Sequence, residues 1–393
     1  MSALRRVALL QYDWPLQSQT VNLARTLAHA GVAVDLYLRD CAPTLIDAEA
    51  LASTPGIAVH DVSARGRLAR LLERFERRFG GLAARAAAAA PGASAHDLYI
   101  GIEKRGLVWA GTVSERTGVP FVYYSLELYD LEHAEFRRVP GARRLRALEK
   151  RHHPRASATI VQDEARGAWL FRSNGLAAGP QIILPVSVDG PAVTATRRCL
   201  RERFNLPPER PILLYLGRFD EARGCLRLAE LARGAAGERF AFVFHGYPGP
   251  TSAERLREAS GGRAFVSTDL VPPERLPELV SSADIGLAFY RTDSANDELT
   301  AFSSEKVALY CQAGLPFIAR DNASYRALVS EFGCARLVSG PEDVPRAAEA
   351  ILGDRDALRR NAWRAFEARF RHGAHTAALL EGLAAAAGRR PAS

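Results

Sequence analysis

The chain has 393 residues, 48% of them hydrophobic, and a formal charge of +8. That length is more than one ordinary core serves and predicts two domains. No apolar run reaches 18 residues, which excludes a membrane-spanning helix of the usual kind. "MSALRRVALLQYDWPLQ" has no apolar segment ending in a small-residue cleavage site, so its first apolar run reads as a buried strand and the protein as cytoplasmic.

The charge rests on 49 Arg against only three Lys, at Lys104, Lys150 and Lys306. A GC-rich coding sequence would produce this bias, and so would a need for phosphate, which Arg contacts through two parallel hydrogen bonds. Either origin favours anionic partners: nucleotides, nucleic acid or an acidic membrane face. The five cysteines (Cys41, Cys199, Cys225, Cys311, Cys334) lie far apart, with no C-x2-C pair and no His cluster at ligand spacing. They read as reduced thiols, with no metal expected.

In chain order, "RVALLQY", "VAVDLYL", "IAVHDV", "HDLYIGI", "PFVYYS", "ATIVQD" and "QIILPV" are strand candidates, and segments of helical periodicity separate them. The pattern predicts an α/β fold with a doubly wound parallel sheet over 1–185. The charged, Pro-containing stretch 189–211 reads as a linker. A second set, "ILLYLGRF", "FAFVFHG", "AFVST", "DIGLAFY", "PFIARD" and "ARLVSG", predicts a second sheet of the same type over 186–370. Residues 371–393 exceed what that sheet needs and predict a helix that packs back on the first domain. Two such domains are expected to face a cleft at the carboxyl ends of their strands, where open α/β sheets bind ligands.

Two stretches at those strand ends carry chemistry. In "LGRFDEARGCLRLAEL", Gly217 permits a sharp turn, Arg218 and Arg223 follow on the loop, and a helix begins near Gly224. Two guanidinium groups beside a helix N-terminus suit a diphosphate, although either Arg alone reads as a solvated loop charge. In "TAFSSEKVALYCQAGLP", Ser303 or Ser304 is placed to cap a helix, Lys306 adds a cation and Glu305 an acceptor for sugar hydroxyls. An ordinary capped helix with a Glu–Lys surface pair is the other reading of that stretch.

Taken in order, "YLGRF…ARG", "FVFHG", "LPELVSSADIGLAFY" and "SSEKVALYCQAGLPFIARD" resemble the nucleotide-binding domain of GT-B glycosyltransferases, in particular the retaining glycosyltransferase family 4. "YDWPLQSQTVNLARTLAHAGVAVDLYL" looks like the family's first strand, acceptor-side loop and helix. The resemblance implies two Rossmann-like domains and metal-independent transfer of a sugar from a nucleotide diphosphate sugar, UDP or GDP being the carrier, to an acceptor hydroxyl. It implies that Arg218 and Arg223 neutralise the leaving diphosphate, that Gly217, Ser303 and Ser304 surround the donor phosphates, and that His245 and Gly246 hold the base. Asp13 and Gln17 fall on the acceptor side.

The sequence departs from the family in two places. Counted back from "AGLP", the family's E-x7-E acids fall on Ala301 and Leu309, leaving Glu305 and the upstream Glu298 as nearby replacements. Where many members carry a His in the first domain, "YYSLELYDLEH" places Glu127, with His133 further on. A carboxylate there would orient the acceptor hydroxyl or support charge at the anomeric carbon.

Two other classes of function stand beside transfer: a nucleotide-binding scaffold that has lost turnover, supported by the missing acids, and a nucleotide-sugar epimerase. No G-x-G-x-x-G, G-x4-G-K-[ST] or G-x-S-x-G motif is present, which argues against dinucleotide, P-loop and serine hydrolase chemistry. The Arg-rich segments 65–90 and 137–155 read either as solvated faces or as basic helices docked on anionic lipid at the inner membrane face. Nucleic acid is disfavoured because aromatics are not interleaved with these arginines.

Overall fold

Continuous apolar runs become strands here because helices cover both faces of each sheet, so side chains on either side of the pleat are buried. The computed structural model describes residues 4–12, 16–39, 48–63, 67, 71, 96–138, 141–291 and 293–389. The chain divides into two units, residues 1–185 with 375–393, and residues 186–374.

In the first unit, β1 (Arg6–Gln11), β2 (Ala33–Leu38), β3 (Ile57–Asp61), β4 (Leu98–Ile102), β5 (Phe121–Tyr124), β6 (Ala158–Val161) and β7 (Gln181–Ile183) form one parallel sheet. Their order is β3-β2-β1-β4-β5-β6-β7. Every residue of β4 and β5 is buried, whereas the edge strand β3 keeps its second and last residues exposed. The order reverses between β1 and β4, which makes the carboxyl ends of those strands the switch point. The helix Thr376–Ala387 lays Leu379, Leu383 and Ala386 into the same core as Ile182 and Leu184.

In the second unit, β8 (Ile212–Leu216), β9 (Ala241–His245), β10 (Phe265–Ser267), β11 (Ile285–Ala288), β12 (Phe317–Arg320) and β13 (Ala335–Val338) form a parallel sheet of order β10-β9-β8-β11-β12-β13. Its switch point lies between β8 and β11. The stretch 189–211 is part of this unit. Leu200 and Leu206 are buried in its core, and Gln312 Nε2 donates to the carbonyls of Asp189 at 2.9 Å and Pro191 at 3.1 Å. Both sheets are doubly wound α/β layers, the class that the alternation of runs predicts.

Candidate functional site

At the switch point of the second unit, β8 ends in Tyr215 and Leu216 and hands over to Gly217 and Arg218. The adjacent strand ends hold this loop. Gly217 N–H donates to His245 O at 2.9 Å, Gly246 N–H donates to Ser267 O at 3.0 Å, and Phe219 N–H donates to Tyr247 O at 2.9 Å. Gly246 has φ +157°, and a Cβ there would lie 1.9 Å from Gly217 O, so only glycine lets the two loops meet. The loop closes in a short turn, Glu221–Arg223, that Asp220 caps by accepting from Ala222 N–H at 3.0 Å, before the helix Cys225–Glu230 starts.

The second stretch meets the first around one ring. Tyr290, just past β11, shares a 2.6 Å hydrogen bond with Ser304, and Ser304 also caps the helix Glu305–Gln312 by accepting from Val307 N–H at 3.4 Å. Lys306 is buried beneath this turn, its Nζ 4.8 Å from the centre of the Tyr290 ring and 4.9 Å from that of Tyr215. Arg223 lies over the same Tyr290 ring at 5.6 Å. Tyr215 is fixed in turn by its hydroxyl, which donates to Arg218 O at 2.7 Å. Among the described residues Lys306 Nζ has no hydrogen-bond partner. Burial pushes its pKa down to about 7, and Arg223 adds repulsion in the same direction.

Two aromatic faces partly replace water around this ammonium, no carboxylate or carbonyl among the described residues accepts a hydrogen bond from it, and an anion placed there would stabilise it. With Arg223 beside it and a capped helix N-terminus above it, this corner offers positive charge from three sources to a phosphate.

Of the residues that the sequence singles out for the donor, the structure therefore brings Arg223, Ser304 and Lys306 to one ring, with Gly217, Arg218, His245 and Gly246 on the adjoining strand ends. Ser303 donates to Leu299 O at 3.3 Å, in the turn that leads into the capped helix. Glu305 is exposed in the helix's first turn, and Glu298 is exposed at the end of the helix Ala295–Glu298. Ala301 and Leu309 are both buried in the core of this unit, so apolar packing occupies those two positions. His245 is a buried ring whose Nδ1 is tied to Ser267 Oγ at 3.0 Å, and burial lowers its pKa.

In the first unit the residue after β5 that matters is Glu127, and its loop is clamped by side chains that the sequence reading missed. Glu103, at the end of β4, accepts from Leu126 N–H at 2.6 Å and Glu127 N–H at 2.8 Å through the same oxygen. Lys104 Nζ donates to Glu127 O at 2.5 Å and lies 3.9 Å from the centre of the Tyr129 ring. Arg166 donates to Leu126 O at 2.6 Å, and Gln162 to Ser125 O at 2.8 Å. Glu103 is buried and adopts φ +61°, a left-handed conformation that costs a non-glycine residue roughly 1–2 kcal/mol. Burial raises its pKa, and the Lys104 ammonium at 3.4 Å opposes the rise.

Glu127 itself is half-buried. His133 is buried, with its ring edge-on to Phe136 at 6.2 Å, and Gln17 is the N-cap residue of the helix Ser18–His29. Asp13 lies outside the described residues. Among the described residues no group of three His, Cys, Asp or Glu is arranged to hold a metal ion, and Cys199, Cys225, Cys311 and Cys334 are free.

Solved structures share this architecture over nearly the whole chain. Sucrose-phosphate synthase from Thermosynechococcus elongatus superposes with a TM-score of 0.70 at 20% identity, covering 96% of this chain and 98% of that one. HepE from Anabaena, in complex with UDP and glucose, superposes with a TM-score of 0.73 at 15% identity, covering 97% and 99%. The trehalose-phosphate synthase (UDP-forming) from Burkholderia vietnamiensis gives 0.62 at 14% identity, covering 98% and 100%.

The chain carries the GT-B fold.

No family model matches the chain, and no curated protein matches it. At these identities the likeness concerns the fold, so the GT-B scaffold supplies the frame while the chemistry must be read from this chain's own residues.

The aromatic members of the site escaped the sequence reading because Tyr215 and Tyr290 close apolar strand runs, where a tyrosine reads as core. One signal was present. Lys104 and Lys306 are two of three lysines in a chain that otherwise uses Arg, and each is buried as the second residue of a helix beside a tyrosine ring. A compact ammonium fits such a place where a planar guanidinium does not.

Proposed function

We propose that this chain is a glycosyltransferase that moves a sugar from a nucleoside diphosphate sugar to an acceptor hydroxyl. The observation that carries the reading is Lys306: a buried ammonium without a hydrogen-bond partner, beside Arg223, at the capped start of a helix and at the switch point of the sheet. The likeness in fold to a sucrose-phosphate synthase, to HepE in complex with UDP and glucose, and to a UDP-forming trehalose-phosphate synthase supports it.

In this mechanism the bond from the anomeric carbon to the diphosphate breaks, negative charge grows on the leaving oxygens, and the sugar gains oxocarbenium character. Fixed cations around the leaving group are then worth most, because they need no reorganisation as the charge develops. Arg218, Arg223 and Lys306 fill that role, with the helix N-terminus behind Ser304. Three cationic side chains supply what a divalent ion supplies elsewhere, so we propose metal-independent transfer, which would proceed unchanged in EDTA. Glu127, on its clamped loop, is proposed to orient the acceptor hydroxyl. Retention of configuration, with the leaving phosphate taking the acceptor's proton, is proposed on the resemblance to retaining enzymes.

The test is calorimetry with UDP and GDP, followed by hydrolysis of UDP-glucose and GDP-mannose, on the natural protein and on an Arg223→Ala, Lys306→Met double variant. At least one nucleotide should bind the natural protein, and the variant should lose about a hundredfold or more in affinity, as expected when two cationic phosphate contacts disappear. Unchanged affinity in a folded variant would remove the assignment. Binding with neither hydrolysis nor transfer would favour a scaffold.

The helix Ala142–His152 bears on membrane contact. Its Ala142, Leu145 and Arg146 are buried within the first unit, while Arg143, Arg144, Lys150 and Arg151 face solvent. Any contact of this helix with anionic lipid would therefore be electrostatic and salt-sensitive rather than insertional. The segment 68–90, apart from Leu71, lies outside the described residues.

A further inference from the structure

Beside the phosphate loop, the second unit holds a pocket of about 720 Å³ at the carboxyl ends of β9 and β10. His245 and Ser267 line it at the sheet edge, Arg203 lines it from the helix Cys199–Arg203, Asp269 and Leu270 from the loop after β10, and Leu279 from a further helix. Gly217 is hydrogen-bonded to His245, and Gly246 to Ser267, so the loop that carries Arg218 and this pocket start from three neighbouring strand ends. Two strand spacings, roughly 10 Å, separate them. A ribose and diphosphate bridge such a distance, which makes the pocket the place for the donor's base.

The pocket's polar features decide which base. Arg203 Nη1 and Asp269 Oδ2 form an ion pair, and both side chains are about half exposed. The pair thus presents guanidinium donors next to carboxylate acceptors on one rim of the pocket. The imidazole of His245 is held by its bond to Ser267 Oγ, and Leu270, exposed to 76%, offers an apolar face for a ring to lie on.

We propose that this pocket selects guanine, and that Asp269 and Arg203 are the residues that read it, so that the donor is a GDP-sugar. The inference rests on the proposed sugar-nucleotide function and adds the identity of the base. Along its polar edge guanine presents N7 and O6 as acceptors, then N1–H and the 2-amino group as donors. Arginine pairs with N7 and O6 in a bidentate contact, and a carboxylate accepts from the two adjacent N–H groups. The Arg203–Asp269 pair offers donors and acceptors in that same sequence.

Uracil fits it less well. Its edge runs acceptor, donor, acceptor, so a carboxylate that takes N3–H sets its second oxygen against O2. Adenine reverses the pattern at its 6-position, placing an amino group where Arg203 needs an acceptor. A carboxylate has about four acceptor sites, so Asp269 can keep its bond to Arg203 while accepting from the base.

The test is calorimetry with GDP, IDP, UDP and ADP. IDP is the informative probe, because it lacks only the 2-amino group. The natural protein should bind GDP about tenfold or more tighter than UDP and ADP, with IDP in between, as expected when one bidentate contact separates the bases. Asp269→Asn should erase the difference between GDP and IDP and narrow the gap between GDP and UDP, since the amide offers uracil a donor where the carboxylate offered a second acceptor. UDP binding as tight as GDP, or GDP and IDP binding alike to the natural protein, would overturn the base assignment and leave the proposed transfer standing. Binding of none of the four would overturn both.

Discussion

The ammonium of Lys306 lies 4.8 Å from the centre of the Tyr290 ring, and no hydrogen bond holds it there. Tyr215, Arg223, Cys225 and Asp297 are the other titratable groups around it, and its pKa is pushed down to about 7 by burial first and by Arg223 second. A phosphate placed against it favours the charged form and raises that pKa. Below pH 7 the lysine already carries its proton and adds no pH dependence of its own to diphosphate affinity. Above pH 7 the proton must be taken up on binding, and affinity falls by up to about tenfold per pH unit. Calorimetry at pH 7.5 in buffers of different ionisation enthalpy should therefore record net proton uptake. Lys306→Met should abolish the uptake.

The same residue links function to stability. A folded pKa below the unfolded value means that the native state holds fewer protons than the unfolded one between about pH 7 and the ordinary lysine range, so stability rises with pH across that window. Replacing Lys306 by Met removes an ammonium without a hydrogen-bond partner and keeps the contacts with both rings. The variant should be more stable at pH 7 by about 1–3 kcal/mol while losing nucleotide affinity. Chemical denaturation read beside calorimetry checks both halves.

Much of the fold was legible because its central strands are buried on both faces and appear as unbroken apolar runs. The proposed phosphate corner was partly legible. Gly217 before two arginines, and Ser304 before an apolar helix, are local patterns that carry their own physical reason. The ring that joins them was not, since Tyr290 becomes a site residue only through the packing of Lys306 and Arg223 on it. The clamp on the Glu127 loop was hidden for another reason: its members Glu103, Lys104, Gln162 and Arg166 come from two stretches about 60 residues apart, and only the parallel order of β4, β5 and β6 brings them together. The acids sought at 301 and 309 were a matter of register, and the core position of Ala301 and Leu309 accounts for their apolar character.

Ser304 joins the Tyr290 hydroxyl to the first turn of the helix Glu305–Gln312. Ser304→Ala should cost about 0.5–2 kcal/mol through loss of the cap, and Ser304→Gly only a few tenths from that source. Denaturant midpoints of the two variants distinguish the cap from the hydrogen bond to Tyr290, which both remove. If Ser304→Gly loses as much as Ser304→Ala, the tyrosine contact dominates.

Gly246 is the contact between the loop that carries Arg218 and the neighbouring strand end, with Gly217 O 1.9 Å from where a Cβ would stand. Gly246→Ala must move one of the two loops, and backbone opposes backbone at this point, so no side chain can swing away to relieve the clash. Nucleotide affinity should fall sharply, with a stability loss of about 1–3 kcal/mol for the overpacking. Gly118→Ala is the comparison: it also has positive φ, at +71°, but nothing lies within 4 Å of its added carbon. That variant should lose roughly 1–2 kcal/mol of stability from backbone strain and retain nucleotide affinity. Similar affinity losses in both would show that the effect at Gly246 is general destabilisation rather than displacement of the loop.

Glu103 and Glu127 separate holding from acting. Glu103 accepts both backbone N–H groups of the loop and faces the buried Lys104. Glu103→Ala removes the carboxylate paired with that ammonium, leaving it the field of the buried Glu149, and should cost about 3–5 kcal/mol, the usual result of breaking a buried pair from one side. Glu103→Gln keeps an acceptor oxygen for Leu126 and Glu127 and should cost less. Glu127 is half-buried, and Glu103 and Lys104 hold its loop through the Glu127 backbone N–H and carbonyl. Glu127→Gln should therefore melt near the natural protein and bind nucleotide normally, yet transfer or hydrolyse the donor more slowly by about 10²–10³, the range for one electrostatic or proton-handling contact in a transition state. Hydrolysis rates, melting temperatures and nucleotide affinities on the three variants check this division: a Glu127→Gln variant with full turnover would leave the clamp as a purely structural feature of the first unit.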